Sequence, residues 1–155
     1  KAIYQLVLDA KNLAINAIKP GMNFAKLNVL TNAFLTKGLV DLGILQGDLA
    51  DLISEKKVKE YFIHGLGHWL GLDVHDVGDY HISTEREQLR AFEIGMVMTI
   101  EPGIYIPLSD KSVDEKWRGI GIRIEDDVVV TKNGRQVLTA NVVKSVDEIE
   151  ALMAG

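Results

Sequence analysis

The chain has 155 residues, 47% hydrophobic and 25% charged, with a net charge of -5 and no cysteine. This is the size and make-up of one globular domain able to bury its own core. The acidic balance excludes a general nucleic-acid binder, the lack of cysteine excludes a disulfide scaffold or a thiolate metal site, and the apolar runs are too short to span a bilayer.

The pattern of Ile3, Leu6, Val7, Ala10, Leu13, Ala14, Ala17 and Ile18 predicts a helix over 2–18, stopped by Pro20-Gly21. The segment lacks the pattern of a signal peptide. It opens mid-pattern and without methionine, so the chain is expected to be a piece of a longer protein. Asn23 is a candidate N-cap for a second helix carrying Leu27, Leu30 and Phe34, with Gly38 and Gly43 at its frayed end. Asp48 is placed to cap a short third helix ending near Lys56-Lys57. Residues 79–94 are polar and predict a surface loop. Two strand-like runs follow, at 95–106 and 118–131, joined by a polar connection. Asn133-Gly134 predicts a turn, 135–143 a further strand, and DEIEALM a short helix with Ser145 as cap and Glu148 in the capping-box position. Helices first and strands afterwards imply an α+β fold.

Between the two halves lies FIHGLGHWLGLDVHDVG (62–78), with three of the chain's four histidines, four glycines and two aspartates. Packing alone does not ask for so many imidazoles beside so much glycine. The spacing of His64 and His68 would suit one face of a helix, but Gly65 and Gly67 oppose a helix, and Gly65 stands where a zincin would need its glutamate. Downstream, strand alternation puts Ile120, Ile122 and Ile124 on one face and Gly121, Arg123 and Glu125 on the other. Val97, Thr99 and Glu101 share a face of the earlier run, and Glu101 stands directly before Pro102-Gly103. Each strand thus delivers one glutamate, and a glycine-flanked segment delivers histidines. Imidazole with carboxylate suits Zn, Mn or Fe, and a carboxylate-rich set leans towards Mn. Taken singly, each group has an ordinary explanation: a hydrogen-bonded core histidine, an ion-paired glutamate, a solvated or capping pair at Asp126-Asp127. The combination leaves a metal site and an ion-pair cluster both open.

The strings HGLGHWLGLDVHDVG, GMVMTIEPGIYIP and WRGIGIRIEDDVVVT, in this order, resemble the Xaa-Pro aminopeptidases (aminopeptidase P) of the creatinase/prolidase branch of "pita-bread" metallopeptidases. The likeness runs through essentially the whole chain, and the segment around WRGIGIRIEDDVVVT is closer to aminopeptidase P than to prolidase. The resemblance implies part of a pita-bread fold, with helices packed on a curved, mostly antiparallel sheet. It implies that 1–155 is the C-terminal portion of a catalytic domain whose N-terminal domain and first ligand hairpin lie outside the chain.

The resemblance further implies a dinuclear centre, commonly manganese with zinc and cobalt as alternatives, held by two aspartates, a histidine and two glutamates. His68, Glu101 and Glu125 match the histidine and the two glutamates, Glu125 being the one that bridges both metals. No segment matches the aspartate hairpin, so at most one ion is expected here and little activity from the chain alone. His64 matches a histidine that positions the proline side of a substrate, and His75 one that stabilises the reacting carbonyl. Glu101 would also orient the nucleophile and pass a proton to the leaving nitrogen, with Arg123 beside the bridging glutamate. The glycines are expected to let the loop fold closely around metal and peptide. The implied activity is hydrolysis of the bond before a proline in second position. The alternatives are a prolidase acting on dipeptides and a non-catalytic peptide-binding module. The implied setting is cytoplasmic, without nucleic acid or membrane, in a homo-oligomer.

Overall fold

The computed structural model describes residues 1–82 and 88–155. Helix α1 (Ala2–Ala17) ends where Ile18 turns extended, and α2 (Phe24–Asp41) starts at Asn23, whose side chain accepts the Lys26 N–H at 2.9 Å. Gly38 does not fray this helix. It lies inside α2, with the methyls of Leu6 from α1 occupying the space a Cβ would take. The end at Gly43 is tightly made: Gly43 has φ +71°, its N–H donates to Val40 O at 2.9 Å, and the Ile44 N–H donates to Leu39 O at 2.8 Å. That is a glycine C-cap, satisfying carbonyls that would otherwise be orphaned. Helix α3 (Leu49–Ser54) is capped by Asp48 and α4 (Val146–Met153) by Ser145, both as the sequence suggests. Among the described residues, no helix is long and apolar enough to cross a membrane.

The two predicted strands are each broken once. The first gives β1 (Val97–Ile100) and β2 (Gly103–Tyr105), the second β3 (Gly121–Arg123) and β4 (Asp126–Thr131). β1 pairs with β4, and β2 with β3, both antiparallel. A short β5 (Gly134–Val137) completes a sheet of order β1-β4-β5 after the turn at Asn133-Gly134; the expected strand to residue 143 stops at Val137. Pro102 explains the break, because it has no N–H to give the ladder. The register does not slip across the gap. Ile100 pairs with Asp126 before it and Gly103 with Arg123 after it, so Glu101 lies opposite Glu125 and Pro102 opposite Ile124.

One long hairpin therefore has two unlike faces. Met98, Ile100, Ile104, Ile124, Val128 and Val130 are buried on the inner face, and α1 lies against β1, β2 and β3. Asp126 points to the same side. It is not solvated: only 4% exposed, it is ion-paired with the buried Lys11 of α1 and with Lys144 at 2.8 Å, and it accepts the Thr139 hydroxyl at 2.5 Å. Burial raises its pKa, but the hydrogen bonds from Lys11, Lys144 and Thr139 outweigh burial and hold the carboxyl below its ordinary value. The expected surface loop at 79–94 is also partly core. Phe92 is buried, with its ring against Phe24 and Trp69, and its N–H donates to Met22 O at 2.6 Å. Residues 83–87 of that loop lie outside the described residues.

Candidate metal centre

The outer face of the hairpin carries Thr99, Glu101 and Tyr105 from one arm and Arg123, Glu125 and Asp127 from the other. Side chains directly opposite one another across an antiparallel pair share a face, so the register alone sets the two glutamates side by side. The histidine segment reaches them as an extended strip, not a helix. Trp69 bridges Met98, the Leu70 N–H donates to Val97 O at 3.1 Å, the Thr99 N–H to His68 O at 2.9 Å, and the Glu101 N–H to Leu66 O at 2.8 Å. This strip lies along the free edge of β1 and delivers His68 to the face of Thr99 and Glu101. Gly67 permits the approach: a Cβ there would lie 1.9 Å from the carbonyl oxygen of Thr99. The glycine thus serves contact between loop and strand, whereas a Cβ at Gly65 would make only an ordinary contact, 3.9 Å from the Gly67 carbonyl oxygen.

The outcome is a cluster in which one ligand atom each from His68, Glu101 and Glu125 lies within 4.8 Å of the others. His68 Nε2 stands 3.2 Å from Glu101 Oε1. The other ring nitrogen, Nδ1, is 2.9 Å from the carbonyl oxygen of Trp69. A carbonyl only accepts, so Nδ1 carries a proton, and in the neutral ring Nε2 presents its lone pair to the carboxylates. Such a backbone-anchored imidazole is the usual posture of a metal-ligating histidine. The Glu125 carboxyl is pushed above its ordinary value by partial desolvation and by the charges of Glu101 and Asp127, against the pull of Arg123 and His68. A lone pair and two mutually repelling carboxylates converging on one point are the donor set that a divalent cation satisfies. The residues present therefore fit a metal ion.

The remaining sequence-predicted residues surround this cluster. His64, His68, His75, Glu101 and Arg123, with Gly65 and Gly67, line an open pocket of about 410 Å³. The His75 ring stands edge-on to His68 with centroids 4.2 Å apart. Arg123 Nε is 4.0 Å from Glu101 Oε2. His64 lies farther along, its Nδ1 2.7 Å from Gly65 O and its Nε2 2.9 Å from the Tyr105 hydroxyl. By the same carbonyl argument Nδ1–H donates, so Nε2 of the neutral ring accepts the Tyr105 proton. Gly103 leaves room for this pair, since a Cβ there would lie 2.8 Å from the Tyr105 oxygen and 3.0 Å from His64 Nε2. Sequence reasoning missed Tyr105. It also missed the function of Thr99, whose hydroxyl accepts the His68 N–H at 3.1 Å and donates to Glu101 Oε1 at 3.0 Å.

The family model of metallopeptidase family M24 matches residues 1–132. The chain belongs to metallopeptidase family M24. It is 48% identical over 153 residues to the Xaa-Pro aminopeptidase of Haemophilus influenzae, covering 99% of this chain and 34% of the relative. It is 37% identical over 180 residues to the human Xaa-Pro dipeptidase, covering 100% of this chain and 36% of that protein. The solved aminopeptidase PepP of Pseudomonas aeruginosa superposes with a TM-score of 0.94 at 52% identity, over 99% of this chain and 34% of that one. The chain thus spans about a third of the length of the relatives it matches. Its helices and antiparallel hairpin form part of the pita-bread aminopeptidase fold.

Proposed function

We propose that this M24 chain holds a divalent metal ion on His68, Glu101 and Glu125, as part of an enzyme that removes an N-terminal residue from peptides with proline in second position. The observation that carries it is the convergence of one ligand atom each from His68, Glu101 and Glu125 within 4.8 Å of one another beside the outer face of the hairpin. The names of the relatives support the substrate class. The carboxylate-rich donor set favours Mn over Zn or Co. Three donors leave open positions and account for one ion; a second would need the further aspartates that the family resemblance implies.

When bound, such a cation polarises a carbonyl and lowers the pKa of a water molecule at the site. The chain's own residues do the rest. Glu101, 9% exposed and held by Thr99, orients the attacking water and relays its proton. The proline nitrogen has no hydrogen in the peptide and must gain one as the bond breaks, and Glu101 is the base placed to return it. His75, exposed at the pocket and edge-on to His68, donates to the developing oxyanion. Arg123 faces the outer oxygen of Glu101 and restrains its rotation. His64, fixed by Tyr105 and Gly65, borders the side that receives the proline.

The test is a length series of Xaa-Pro peptides with Mn(II) and the whole enzyme of which this chain is proposed to be part. Cleavage of tripeptides and longer peptides is expected, with loss of at least a hundredfold in Glu125→Ala. Cleavage confined to dipeptides would make the protein a prolidase. Full activity in Glu125→Ala would refute the metal-holding role.

A further inference from the structure

We propose that Thr99 is a positioning residue for this centre: its hydroxyl sets the carboxylate of Glu101 and the main chain of His68 in one step. The inference rests on the metal-site proposal above and adds to it a residue outside the donor set. Thr99 is 1% exposed, in β1, between the two. A threonine hydroxyl has a single proton. It accepts the His68 N–H at 3.1 Å, so the proton is free for Glu101 Oε1 at 3.0 Å. An ionised carboxylate only accepts, which fixes the direction of that bond.

The consequence is geometric. Glu101 Oε1 is also the oxygen 3.2 Å from His68 Nε2. With one lone pair of Oε1 taken by Thr99, the carboxylate plane cannot turn freely, and Oε2 is left towards Arg123 at 4.0 Å. The main chain of Thr99 meets His68 as well, its N–H donating to His68 O at 2.9 Å. Thr99 thus contacts His68 through both main chain and side chain while holding Glu101. A β-branched side chain in a strand is stiff about χ1, so the hydroxyl is aimed in advance. The methyl group packs as valine would; only the hydroxyl is specific.

Cobalt(II) is a suitable probe, because its visible absorption reports ligand geometry. We would titrate Co(II) into the full chain for the native sequence, Thr99→Val, Thr99→Ser and Glu125→Ala. Thr99→Val is expected to weaken Co(II) binding about 10–100-fold and to shift the visible band, while the metal-free melting temperature stays close to native. Thr99→Ser is expected to restore both affinity and band. Native affinity and an unchanged band in Thr99→Val would overturn the inference, as would a loss in Thr99→Ser equal to that in Thr99→Val, which would trace the effect to the methyl group. Thr99→Ala replaces the valine variant if that one does not fold. If Glu125→Ala binds like the native chain, or the native chain does not bind, the metal-site proposal fails and this inference falls with it. If Glu125→Ala loses binding and Thr99→Val does not, only the inference fails.

Discussion

A methyl group on Gly67 would lie 1.9 Å from the Thr99 carbonyl oxygen, and backbone cannot swing aside as a side-chain tip can. Gly67→Ala should therefore lift the 66–70 strip from β1, with a cost of about 2 kcal/mol or more on overpacking grounds, read by urea denaturation. Gly65→Ala, whose Cβ would meet nothing nearer than 3.9 Å, should change stability little. Equal losses at the two positions would contradict the strip's place on the sheet edge. The same contrast shows what single residues disclose. His68, Glu101 and Glu125 could be nominated from residue type, because imidazole and carboxylate bearing on one spot have few uses. Thr99 and Tyr105 could not, since threonine and tyrosine are ordinary strand residues and only their partners mark them. Nor could one glycine be told from the next without knowing which backbone lies beneath it.

Between elements, the buried contact of Lys11 with Asp126 ties α1 to β4 one residue beyond Glu125. Lys11→Met would leave Asp126 with Lys144 and Thr139 alone, in a setting where both members of the lost pair are 4% exposed. Removing one partner of such a pair costs about 3–5 kcal/mol, and the remaining lysine should keep the loss near the lower end. The pH dependence follows from the sign of the shift. The folded carboxyl of Asp126 sits below its unfolded value. Its contribution is therefore fully present above the unfolded aspartate pKa, about 3.9, and disappears as pH falls through the lower folded value. Denaturation of the native chain and of Asp126→Asn should show a gap at pH 7 that narrows below about pH 4; a gap constant down to pH 2 would contradict this. Composition gave no hint of the pair, because Lys11 sits in a helix whose other inward residues are apolar, and Asp126-Asp127 has the look of a solvated run.

For the molecule as a whole, period and punctuation in the sequence were enough to place the helices, their caps at Asn23, Asp48 and Ser145, and the order of helices before strands. The strand-like run 95–106 is interrupted at Glu101-Pro102, and the predicted faces survive the break. The register continues unbroken from Val97 opposite Val129 to Tyr105 opposite Gly121. Alternation read within each strand is therefore still true across the gap, and the core face and the site face stay separate. What alternation cannot supply is the third element, the histidine strip, because its partner along β1 is set by hydrogen bonds far apart in sequence. Strip and hairpin together build the proposed divalent-cation site. Calorimetric titration of Mn(II) into the native chain, His68→Ala and Glu125→Ala tests it most directly. One Mn(II) per native chain, with binding abolished in both variants, is the predicted result; no binding by the native chain, or binding that survives either substitution, would contradict it.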